Sequence, residues 1–139
     1  MAVKNSFNTI TVEVDANCIS AENLALLASR KAIYGLCIPV ALTGDNKYGY
    51  AASSNSPLPL AGFLMEIEGK SGAETKYMGT LLTAGKVVGI PASTAVAVGT
   101  NTLVVTNNGE VTSDATGTGG KWVVQKASSS GDLFVDIVG

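Results

Sequence analysis

Turn-forming residues recur roughly every 8–12 positions along most of this chain, and the runs between them are short, apolar and rich in β-branched residues. That spacing leaves no room for a helical bundle and specifies many short strands joined by tight turns. Asn8–Val14 (NTITVEV) sets Ile10, Val12 and Val14 against Thr9, Thr11 and Glu13, the period of a half-buried strand. Further strands are expected at Gly62–Glu68, Thr75–Leu82, Lys86–Ile90, Ala95–Val98, Thr102–Thr106, Lys121–Gln125 and Asp132–Val138. The run LCIPVAL (36–42) is apolar throughout. It contains Pro39, which cannot donate to a ladder and so points to an edge or a bulge. TGDNK (43–47) turns the chain, Tyr48-Gly49-Tyr50 starts its return, and Pro57 and Pro59 should keep the loop 53–60 out of regular pairing. Asn108-Gly109 between Val105 and Val111 predicts a hairpin of the I′ type, with positive φ at both residues.

One stretch breaks the pattern. Residues 20–31 read as a helix: Ser20 can cap the first turn, Glu22 favours its positive end, and Arg30-Lys31 suit its negative end. Leu24, Leu27 and Ala28 share a face that should cover a mouth or edge of a sheet. Residues 1–7 before the first strand read as an N-terminal arm whose apolar content is Val3 and Phe7. The expectation is an all-β fold, a small β-barrel or β-sandwich of short antiparallel strands with one short helix (about 20–31), in a single domain over residues 1–139.

Composition then narrows the function. Charged residues are only 14% of the chain against 46% apolar, so the exterior has few charges to keep it from sticking to other proteins or to copies of itself. A net charge of −2, with Lys and Arg scattered singly outside Arg30-Lys31, provides no electrostatic footprint for nucleic acid. The start lacks the apolar core of a secretory signal. The uncharged stretch 87–109 holds too many Gly, Asn, Ser and Thr to cross a membrane as a helix. Cys18 and Cys37 sit in apolar surroundings without metal or redox spacing, which favours two reduced, packed thiols over one disulfide.

There is no histidine, which removes the commonest general base and both the Ser-His-Asp and Cys-His arrangements. Glu66 with Glu68 and Asp132 with Asp136 could pair as glycosidase carboxylates, but solvated strand faces are the preferred reading of both. ATGTGGKW (115–122) fails the phosphate-loop pattern at both ends, with Ala115 at its first glycine and Trp122 after the lysine. GDNKYG (44–49) lacks the acidic series of a calcium loop. Neither a catalytic residue, a metal site nor a cofactor is expected, and the chain reads as a non-enzyme. Tyr34, Tyr48 and Tyr50 cluster around the first turn, either as a surface anchor for a partner or as half-buried strand residues.

From Ala28 onward the order of segments carries a resemblance. An apolar strand, the turn TGDNK, the step PLAGFL, the segment LVVTNNGEV and the closing SSGDLFVDIVG resemble the small β-rich decoration, or cement, proteins on the capsids of tailed bacteriophages. The resemblance covers residues 28–139. It implies a virion protein made in the host bacterial cytoplasm and bound to the capsid outer surface. There it would bridge neighbouring major capsid subunits, as a homotrimer on the particle, and stabilise the expanded shell. The expected partners are the major capsid protein and the chain itself. Contacts are expected from the arm (Val3, Phe7), from Ile10 at the start of its strand, from Tyr48 and Tyr50, and from Leu58 and Leu60 in the loop 53–60. The alternatives are a carbohydrate-binding β-module, another virion part (fibre, tail or head-completion protein) and, least favoured, a hydrolase using Glu66 or Asp136.

Overall fold

The computed structural model describes residues 8–29, 37–70, 76–114, 116–117 and 119–139. The expected arm with Val3 and Phe7, the helix end Arg30-Lys31 and Tyr34 lie outside the described residues. The fold is all-β with one short helix. Five strands close a barrel in the order β1 (Thr9–Val14), β3 (Lys47–Gly49), β2 (Ile38–Gly44), β5 (Gly62–Lys70) and β6 (Tyr77–Leu82). Two three-stranded sheets flank it. One runs β10 (Val123–Lys126), β11 (Phe134–Val138), β7 (Lys86–Pro91); the other runs β4 (Leu58–Pro59), β8 (Leu103–Val105), β9 (Val111–Ser113). Pairing between these strands is antiparallel except where β1 meets β3, with Glu13 opposite Lys47 and Val14 opposite Tyr48. That parallel contact closes the barrel and was not expected from the sequence.

The long apolar runs have a simple cause. Strands β2, β5 and β6 form a wall with a hydrophobic core on each side, and a strand buried on both faces loses its polar alternation. Ile38, Val40, Leu64 and Leu81 point into the barrel with Val12 and Val14. Cys37, Phe63 and Leu82, the immediate chain neighbours of Ile38, Leu64 and Leu81, point the other way, against Val87, Ile90, Val135 and Ile137 of the flanking sheet. Each fully buried side chain of this size stabilises the fold by about 1.5–3 kcal/mol. Trp122 lies in the outer core, its ring edge-on to Phe63 at 4.8 Å and its indole N–H donating to the Ala61 carbonyl.

Helix α1 (Ala21–Ser29) starts as expected, the Ser20 hydroxyl accepting from the Asn23 N–H at 3.1 Å. Its packing face is narrower than expected. Leu27 enters the barrel core beside Cys18, whereas Leu24 and Ala28 remain exposed. The helix therefore enters the barrel core with one side chain, while Leu24 and Ala28 line a small cleft against Glu66 and Ile67 of β5.

Three local expectations are corrected. Leu58 and Pro59 do pair, opposite Val105 and Val104. Leu60 N–H donates to the Leu103 carbonyl, so Pro59, one residue earlier on the strand, has its nitrogen on the flank facing away from β8, where no N–H is needed. Ala95–Val98 buries only Val96 and pairs with no described strand. Val96 is instead tied to one residue, donating to the Ser128 hydroxyl at 2.8 Å and accepting from the Ser128 N–H at 3.1 Å. The Ser128 hydroxyl in turn donates to the Thr94 carbonyl. At the hairpin, Gly109 has positive φ (76°) and Asn108 does not. Thr106 bonds Glu110 across a three-residue loop, a type I turn followed by a left-handed glycine rather than I′. Pro39 fits its expected edge position, since β3 pairs with β2 only from Ala41 onward.

Candidate binding groove

Tyr50 follows β3, where the chain leaves the barrel, and three elements hold it there. Asp15 accepts from the Asn17 N–H and so caps the 3-10 turn Ala16–Cys18, which presents the Asn17 side chain to the Tyr50 backbone. That amide makes two bonds, donating to Tyr50 O at 2.9 Å and accepting from Tyr50 N–H at 3.0 Å, as a neighbouring strand would. From α1, Asn23 donates to the Tyr50 hydroxyl at 2.8 Å and to the Cys18 carbonyl. From the β8–β9 hairpin, Gly109 lies directly on the ring: a Cβ there would come 2.4 Å from Cζ. Burial holds the Tyr50 phenol above the ordinary tyrosine range, and the Asn23 bond partly offsets that rise.

Around this fixed ring runs a groove of about 330 Å³. It is lined by Asn23 and Leu26 of α1, Cys37, Ile38 and Pro39 at the start of β2, Gly89, Pro91 and Phe134 of the flanking sheet, and Asn108-Gly109 of the hairpin. It lies where the helix, the barrel wall and both flanking sheets meet, the kind of junction at which ligand sites form. None of the described residues lining it carries a charge. Phe134 on the rim is 53% exposed.

Neither cysteine is in a disulfide, and the two are buried on opposite sides of the barrel wall, Cys18 in the barrel core and Cys37 in the outer one. Burial, reinforced by the negative charge of Asp15, pushes the Cys18 thiol up to about 12. The proton is thus held more tightly folded than unfolded. The stability this provides is intact below pH 9 and is lost as the pH climbs from 9 towards 12, while the unfolded thiol ionises and the folded one does not. Urea unfolding at pH 8 and pH 10 should show a loss at the higher pH that is smaller by roughly 1 kcal/mol in Cys18→Ala. An unchanged pH dependence in that variant would remove Cys18 as its source.

The two carboxylate pairs weighed in the sequence lie in different surroundings. The β5 register shifts between Leu64 and Glu66 and again between Ile67 and Gly69; Glu66 faces α1 across a small cleft and Glu68 is exposed. Asp136 accepts from the Gly89 N–H within the β7–β11 ladder, while Asp132 belongs to the turn after Ser129. Among the described residues no group of three or more acidic, Cys or His side chains could hold a metal ion. No described helix is long and apolar enough to cross a membrane.

Of the residues expected at a partner contact, the groove includes Tyr50. Ile10 is 44% exposed on β1. Tyr48 packs against the barrel core, Leu58 is half-buried in β4, and Leu60 packs on the outer core. Leu26, Pro91 and Phe134 carry no binding expectation in the sequence, and Asn108 is read there only as a hairpin residue. Phe134 had a signal: in DLFVDIV it falls in phase with Asp132 and Asp136, an aromatic residue on the solvent side of the strand. No protein-family model, no curated protein and no solved structure matches this chain.

Proposed function

We propose that this chain is a virion structural protein that binds the capsid outer surface and bridges neighbouring major capsid subunits, as a homotrimer on the particle and without a catalytic role. The observation that carries the reading is the apolar exterior. Val98 is 64% exposed, Leu42 55% and Phe134 53%, on separate parts of the fold, over a chain with only 14% charged residues. Isolated exposed apolar residues are ordinary; large ones dispersed this widely suit a protein covered on several sides. The segment order over residues 28–139 adds the resemblance to decoration proteins. A carbohydrate-binding role draws support from Tyr50 and Phe134 standing near Asn23 and Asn108, but Trp122, the other aromatic such a site would use, is buried against Phe63.

The test is co-sedimentation with expanded, undecorated capsids, counting copies bound per shell. Saturation at a fixed number per capsomer, with raised resistance of the shell to heat, is the expected result. Absence of pelleting at micromolar protein would overturn the reading and send the chain to a glycan-binding screen.

A further inference from the structure

We infer that the groove beside Tyr50 is a docking site for an extended, uncharged apolar segment of a partner protein, which seats two apolar side chains in the cavity and bonds its backbone to the polar groups along the wall. This deepens the capsid-binding reading and rests on it only for the identity of the partner.

Volume comes first. An apolar cavity of about 150 Å³ accepts one benzene ring. The groove, at about 330 Å³, is sized for two such groups. Charge comes second. With no charged group among the described lining residues, a charged side chain would be desolvated there without a counter-charge, which is costly, while a neutral one meets no penalty.

The third observation is a pair of open hydrogen-bonding positions. The Tyr50 oxygen accepts from Asn23, and its own proton has no acceptor among the described residues. The Asn23 amide nitrogen is occupied twice, while its oxygen has no donor among them. One donor and one acceptor at the wall of an apolar groove match one residue of an extended segment, whose own N–H and C=O point to the same side. A sugar would bring a hydroxyl on nearly every ring carbon and leave most of them facing Ile38, Pro39, Pro91 and Leu26. A small apolar ligand confined to the cavity would leave the rim, Phe134 above all, in water. A segment running across the groove covers that rim, and aromatic residues at such positions are typical interface anchors.

The probe is acetyl-Leu-Leu-amide, titrated into the full ¹⁵N-labelled chain and followed by amide shifts. Toluene and acetyl-Glu-Glu-amide serve as comparisons. The expected result is saturable change at Asn23, Leu26, Gly109 and Phe134 with the Leu-Leu compound and little with the Glu-Glu one. Phe134→Asp and Leu26→Asp, both at exposed positions, should each weaken it about tenfold, the loss typical of an interface anchor. Leu42→Asp, equally apolar and exposed but off the groove, should leave it unchanged. Non-saturating shifts, or equal binding of the Glu-Glu compound, would overturn the inference. Tighter binding of toluene at the same amides would also overturn it, in favour of a small apolar ligand. Capsid pelleting separates the two proposals. Dipeptide binding without pelleting of the wild type sinks the capsid reading and leaves the groove standing. Pelleting that survives both groove substitutions removes the groove as the capsid anchor.

Discussion

Trp122→Ala is expected to destabilise the fold by about 3–5 kcal/mol, the range for emptying a core position of an aromatic side chain. The ring is 3% exposed and gripped from two directions. Phe63, on the barrel wall, meets it edge-on at 4.8 Å, and Gly139 closes on it so tightly that a Cβ there would lie 2.6 Å from Cε3. Gly139 is itself fixed by reciprocal backbone bonds with Gly85, at 2.8 and 2.9 Å. Strand β5 on one side and the β7–β11 end on the other thus share one side chain, and neither can move in to fill the space it leaves. The indole N–H bond to Ala61 disappears as well, leaving that carbonyl to find another donor. Because Trp122 is the only tryptophan, urea unfolding of the variant is best followed by circular dichroism. A lower midpoint at unchanged slope would report lost stability rather than a changed unfolded state. A loss under about 1 kcal/mol would mean that the barrel wall and the flanking sheet are not joined through this ring.

The β-character of this chain was legible because it is written locally. NTITVEV buries Val12 and Val14 as its alternation requires, and DLFVDIV buries Val135 and Ile137. What could not be read is which side of a strand belongs to which core. Cys37 and Ile38 are equally apolar neighbours, yet they enter different cores because β2 is a shared wall, and that is fixed by residues far away in sequence. Ala95–Val98 failed for a related reason. Its pattern is a strand's, but a strand needs a partner, and the partner here is Ser128 alone. Pro59 misled in the opposite sense, since a proline forbids pairing only on the side its nitrogen faces. The groove was legible in part. Tyr50 could be singled out as an aromatic beside a turn. Pro39 and Asn108 stand out in the sequence only as backbone signals and Leu26 and Pro91 not at all, and only the meeting of helix, wall and hairpin gathers them.

That meeting depends on one residue without a side chain, and Gly109→Ala should show how tightly it is coupled to the groove. Two costs combine. Gly109 has φ of 76°, where an L-residue carries a steric penalty of about 1–2 kcal/mol. Its new Cβ would also fall 2.4 Å from Cζ of Tyr50 and 2.5 Å from its hydroxyl oxygen. The ring cannot swing aside freely, because Asn17 holds its backbone at both N and O and Asn23 holds its hydroxyl. Overpacking of this kind adds about 1–3 kcal/mol, so the expected total is about 2–5 kcal/mol. The two costs separate in a double-mutant cycle. In a Tyr50→Ala background the collision is gone and only the backbone penalty remains, so Gly109→Ala should cost about 1–3 kcal/mol less there than in the wild type. Equal costs in the two backgrounds would mean that the hairpin tip does not rest on Tyr50. A coupling of the expected size would make the hairpin and the barrel exit one unit, with the groove's end wall set by the contact between a glycine and a phenol ring.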